Sequence, residues 1–149
     1  MNSSNIKDIM TARIELITSK NWDCVEPDNF DRYSNATVLL GLSRRHPLLR
    51  ISRGCCALRG LSIGLKNAED IVGDILPSME WEINEQYIEY GGCDLFTPFV
   101  EADKPVFHVE NPSDAPDVSC QVKATSCAAP SGFSGMLKMV DLDSWIDTC

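Results

Sequence analysis

Four short apolar runs in this chain each end in a tight cluster of carboxylates, amides or a lysine. They read WDCVEPDN at residues 22–29, LSIGLKN at 61–67, WEINEQ at 81–86 and PVFHVE at 105–110, and helix-like stretches separate them. Strands that alternate with helices pair in parallel through right-handed crossovers. A buried strand that delivers acids and amides at its C-terminal end is how a βα barrel assembles a site. The spacing therefore predicts an α/β fold, a partial (β/α)8 TIM barrel with a parallel sheet and flanking helices. A closed eight-stranded barrel needs about 200 residues or more, whereas this chain has 149, read as one domain over residues 1–149.

The remaining elements follow from local signals. Ser3 or Ser4 can cap a helix whose apolar stripe is Ile6, Ile9, Met10, Ile14 and Ile17, ending near Lys20 and Asn21. Strands are expected at residues 22–25, 61–65, 79–84, 104–109 and 133–140. Asn67 is placed to cap a short helix carrying Ile71, Val72, Ile75 and Leu76, closed by Pro77. Residues 94–103 read as helix shortened by Pro98, residues 111–118 as a loop, and residues 141–146 as a terminal turn of helix. Within residues 34–59 Pro47 interrupts the pattern, although Leu48, Leu49, Ile51, Ala57 and Leu58 can share one helix before the turn at Gly60.

Net charge is −9, from 13 basic and 22 acidic residues. That disfavours non-specific nucleic-acid binding and suits a cationic partner, although acidity also serves solubility alone. Residues 32–68 hold seven basic side chains and no acid, which is a compositional break. Part of that block, residues 38–57, reads as foreign to the rest of the fold. Seven cysteines include no CxxC pair, and only two histidines are present. Neither a metal site nor a cofactor is expected. Disulfides among Cys93, Cys120, Cys127 and Cys149 would fit an exported protein, and buried thiols would fit equally well. The N-terminus shows no signal-peptide pattern and no run reaches membrane-span length.

Side chains alternate along a strand, so Glu26 and Asp28 share a face, and Glu85 ends another strand after Asn84. Two carboxylates from neighbouring strand ends are what glycoside hydrolysis requires, one to protonate the leaving oxygen and one for attack or water activation. One such acid alone would more often cap the following helix. Three coordinated strand ends favour a site. Lys66 and Asn67 end their strand at the same level, where Lys66 can bond a hydroxyl, hold a carboxylate ionised, or form an ordinary ion pair. His108 and Glu110 share a face at a fourth strand end. A lone strand histidine is more often structural, so His108 stands outside the catalytic set. Asn35-Ala36-Thr37 is a formal glycosylation acceptor.

At these residues the chain resembles glycoside hydrolase family 114, the endo-α-1,4-polygalactosaminidases, once called spherulin-4-like. The matching text is WDCVEPDNFDRY, RGLSIGLKNAEDIVGDILP, WEINEQYIEYGGCDLFTPFVEADKPVFHVE and, after Cys120, SGMLKMVDLDSWIDTC. The resemblance implies a βα barrel that cuts polymers rich in α-1,4-linked galactosamine, with this chain holding about strands four to eight. It implies Asp28 and Glu85 as the catalytic pair and Glu26, Asn29, Lys66, Asn67 and Glu110 as substrate contacts. It also implies secretion and a cationic galactosamine polysaccharide as partner, which an acidic cleft would attract. Tyr87 stands where the family commonly has a cysteine, implying that Cys93 has lost a disulfide partner. Open strand edges would impair activity and favour self-association. The alternative on the same scaffold is an inactive carbohydrate-binding or stress-induced surface protein.

Overall fold

The computed structural model describes residues 3–28 and 46–149, which form two compact units. Unit 1 comprises Met1–Ala68 with Pro77–Glu80, and unit 2 comprises Glu69–Leu76 with Trp81–Cys149. Asn29, the Asn35 triplet and residues 32–45 of the basic block lie outside the described residues.

Unit 1 begins with α1 (Ser3–Ser19), followed by β1 (Cys24–Val25), α2 (His46–Ala57) and β2 (Ser62–Lys66). The expected stripe on α1 is narrower than its composition. Ile14 is buried and Ile6, Met10 and Ile17 are half-buried, while Ile9 lies exposed. That leaves an i, i+4 row, the set a helix presents to one neighbour. The partner is α2, whose Cys55 Sγ meets Thr11 Oγ1 at 3.5 Å, and Arg59 in the turn after α2 reaches Glu15 at 2.7 Å. Pro47 falls in the first turn of α2, where its missing N–H is harmless, so it starts the helix rather than interrupting it. Ser52, Cys55 and Cys56 of this helix are buried.

The strand pair of unit 1 is parallel, with Cys24 opposite Ser62 and Val25 opposite Ile63. The first strand is shorter than expected at its start, because Asn21 turns the chain through a left-handed φ of 57°. In β2 the run Ile63, Gly64 and Leu65 is buried, as a strand covered on both faces should be.

Unit 2 holds α3 (Val72–Ile75), β3 (Trp81–Glu85), α4 (Tyr87–Tyr90), α5 (Thr97–Glu101), β4 (Val106–Glu110), α6 (Cys120–Ser126), β5 (Phe133–Lys138) and β6 (Ile146–Thr148). The strands β3, β4 and β5 pair in parallel order, with Asn84 opposite His108 and Val109 opposite Met136. Phe96, Phe99, Ile71, Val106 and Leu137 form the core, each 2% exposed or less. Tyr87 stacks edge-on against Phe96 with centroids 4.9 Å apart.

Several expectations change. Asn67 adopts a left-handed φ of 50° at the turn after β2, and the N-cap position of α3 is Ile71. The α-helix before Pro77 ends at Ile75 with Leu76 as its C-cap, and Pro77 lies in the 3₁₀ turn Leu76–Ser78 that follows. A helix no local periodicity announced, α6, is capped by Ser119, whose hydroxyl accepts from Val122 N. Instead of a terminal helical turn, the chain ends as β6, antiparallel to β5. In the turn between β5 and β6 the Lys138 ammonium donates to the carbonyls of Asp143 and Trp145. Cys149 then bonds Cys127, fastening β6 to the end of α6. Gly135 leaves the room this needs, since a Cβ there would lie 3.0 Å from Cys149 Sγ.

Of the other two cysteines in the expected set, Cys93 is free and buried, Cys120 free and exposed. Burial pushes the Cys93 thiol up to about 11, which keeps it protonated and unreactive.

Candidate active site

In unit 1 the C-terminal ends of β1 and β2 carry Glu26, Asp28, Lys66 and Asn67. Pro27 ends β1 because proline has no N–H for the ladder, and the chain then presents Asp28 to solvent. Lys66 reaches back from the last position of β2 and its Nζ lies 3.1 Å from Asp28 Oδ1. The ammonium is largely sheltered, with 15% of its side chain exposed, against 56% for the carboxylate. Glu26 is exposed on the same segment, and Asn67 is half-buried one residue beyond Lys66.

In unit 2 the end of β3 delivers Glu85, and the register sets it opposite Val109 of β4. Alternation then divides the side chains. Trp81, Ile83 and Glu85 share one face with Phe107 and Val109, and all but Val109 are half-exposed. Trp81 and Phe107 meet edge-on at 6.0 Å on that face. Glu82, Asn84, His108 and Glu110 occupy the other face and are buried.

Those four make a continuous polar chain. Asn84 Nδ2 donates to Glu82 Oε2 at 2.9 Å, and Asn84 Oδ1 meets His108 Nδ1. His108 Nε2 lies 3.0 Å from Glu110 Oε1, within ion-pair reach but at an angle that forms no proper hydrogen bond. The same Glu110 oxygen accepts from Ile88 N at 2.9 Å. Among the described residues Glu82 Oε1 has no hydrogen-bond partner, and burial pushes the Glu82 carboxyl from 4.5 up to about 9, so it is neutral at physiological pH. A neutral acid is the state a dry site tolerates. The strand-end reading did not single out this chain. Its signal was present as two polar i, i+2 pairs, Glu82 with Asn84 and His108 with Glu110, on adjacent strands.

Beyond the strand ends of unit 2 lies a cavity of about 630 Å³ bordered by Gln86, Glu89, Glu110, Asn111, Asp114 and Ser126, among others. Carboxylates, amides and hydroxyls around one space can match a polyhydroxylated, positively charged ligand.

Of the residues expected at the site, Asp28 and Lys66 are brought into direct contact. Glu26 and Asn67 accompany them on the same two strand ends. Glu85 and Glu110 sit at adjacent strand ends of unit 2, on opposite faces. Among the described residues no helix is long and apolar enough to cross a membrane.

Helix-separated parallel strands whose C-terminal ends carry acids, amides and a lysine define a βα-barrel type of fold. The model of Glycoside-hydrolase family GH114 matches residues 1–149, and the chain belongs to that family. It is similar to Aspergillus fumigatus Ega3, whose crystal structure is of a complex with galactosamine. The two share 33% identity, with a TM-score of 0.91 over 100% of this chain and 63% of that one. It is also similar to the glycoside hydrolase domain of PelA from Pseudomonas aeruginosa, at 12% identity and a TM-score of 0.65 over 95% of this chain and 63% of that domain. A variant of the PelA domain gives 9% identity and a TM-score of 0.61. At those identities the PelA likeness bears on the fold alone. The chain thus spans 63% of each of these solved structures. No curated protein sequence matches.

Proposed function

We propose that this chain carries the carboxylate machinery of an endo-acting glycoside hydrolase that cleaves α-1,4-linked, galactosamine-rich polysaccharide. The observation that carries the proposal is the likeness, along the whole chain, to a relative solved with galactosamine. Asp28 and Glu85 are the two carboxylates. Glu85 serves as acid/base, protonating the leaving oxygen, and Asp28 is the ionised partner that attacks the anomeric carbon or activates water. The ion pair with Lys66, 3.1 Å away, supports a place for Asp28 at the site. Glu26, Asn29, Lys66 and Asn67 contact the sugar. The net charge of −9 favours a polymer whose free amines are protonated. The Cys127–Cys149 disulfide supports action outside the cell, where such bonds persist.

The test is incubation of the purified chain with de-N-acetylated galactosaminogalactan, followed by sizing of the products. Shorter oligomers are expected, and Glu85→Gln or Asp28→Asn should slow their release by about 10²-fold or more. Binding without cleavage would instead support a carbohydrate-binding protein on the same scaffold.

A further inference from the structure

Glu85 is the last residue of β3, and the chain turns at once behind it. Gln86 adopts a left-handed φ of 62°, a conformation glutamine rarely takes. A non-glycine residue stays there only when its surroundings over-determine it. Two hydrogen bonds flank the turn: Gln86 N donates to Val109 O at 2.8 Å, and Ile88 N donates to Glu110 Oε1 at 2.9 Å. Ile88 lies in the first turn of a four-residue helix, where backbone N–H groups lack an intrahelical acceptor. Glu110 supplies that acceptor from the neighbouring strand.

The carboxylate itself is well braced. It is 4% exposed, and its face of β4 is the one opposite Glu85. Behind it stand His108, Asn84 and Glu82, each fully buried and each contacting the next. This line of side chains runs along β3 and β4 and ends on the Ile88 amide.

We infer that Glu110 is a positioning residue: it locks the turn at Gln86 and so sets the direction in which β3 presents Glu85. The inference rests on Glu85 acting as a catalytic carboxylate. It gives Glu110 a role behind the strand in place of the direct sugar contact that its sequence position implied.

Amide hydrogen exchange on the full chain, read by NMR, tests the lock without any need for turnover. In the unaltered chain the Ile88 amide is protected, despite its place in a first turn. In Glu110→Ala it exchanges about tenfold faster or more, and in Glu110→Gln, which keeps an oxygen acceptor, most protection returns. Kinetics on the galactosamine polymer then separates roles. Glu110→Ala lowers kcat about tenfold or more with KM within about twofold, and Glu110→Gln recovers most of the lost kcat. An unprotected Ile88 amide in the unaltered chain overturns the inference. So does an equal rise in KM in both variants with kcat kept, the signature of a sugar contact, or lowered stability with kcat and KM unchanged. Hydrolysis that survives Glu85→Gln, or no hydrolysis by the unaltered chain, strikes the enzymatic reading alone, and the exchange result still decides the lock.

Discussion

Glu82 offers a pH-dependent stability test whose size follows from its burial. Its side chain is 0% exposed, and burial pushes the carboxyl from 4.5 to about 9, with the Asn84 hydrogen bond pulling back only in part. Between those two values the folded chain holds a proton that the unfolded chain has released. Stability from this group is therefore fully present below about pH 4.5 and is lost as pH rises through the window toward about 9. The slope is about 1.4 kcal/mol per pH unit, so about 3 kcal/mol is gone by neutral pH. Glu82→Gln keeps the volume and a carbonyl oxygen for Asn84 Nδ2, but it does not titrate. Urea unfolding of both proteins between about pH 5 and pH 8 should show the variant gaining on the parent by about 1.4 kcal/mol for each pH unit. Parallel pH profiles, or a difference that shrinks as pH rises, would refute the assignment of Glu82 as a buried neutral acid.

Three further expectations bear on the packing. Phe99, 0% exposed, sits in the core of unit 2, so Phe99→Ala should cost about 3–5 kcal/mol in urea unfolding. Gly132 has a φ of +92°, and a Cβ there would lie 2.6 Å from Val100 Cγ1. Gly132→Ala should therefore lose about 1–3 kcal/mol, visible as a lowered Tm. The Cys127–Cys149 bond closes a loop of sequence separation 22, so Cys149→Ser should destabilise by about 3 kcal/mol in the chain-entropy account. An unchanged urea midpoint for Cys149→Ser would show that β6 is held by its ladder and the Lys123–Asp147 pair alone.

The elements that the chain announces most clearly are the ones whose physics is local. Alternating apolar runs and turn residues mark β2, β3, β4 and β5 within a residue or two, because a buried parallel strand needs continuous apolar text bounded by breakers. The strand-end acids, amides and lysine are legible for the same reason, since the helix-separated runs place them at C-terminal ends. Where an element depends on a distant partner, local text misleads. The terminal segment reads as helix, whereas in the structure it pairs with β5 and Cys149 reaches Cys127. Pro47 reads as an interruption until the start of α2 places it in a first turn.

By itself, then, the order of residues determined the α/β class, the strand positions and the kinds of group presented at their ends, because period and breaker chemistry act over a few residues. Only the tertiary structure decided which of those groups meet. Lys66 finds Asp28 across 38 residues, and His108 finds Asn84 across 24. The structure also sends Glu85 and Glu110 to opposite faces of adjacent strands. Pairings of that kind depend on strand register and burial, which no local pattern encodes.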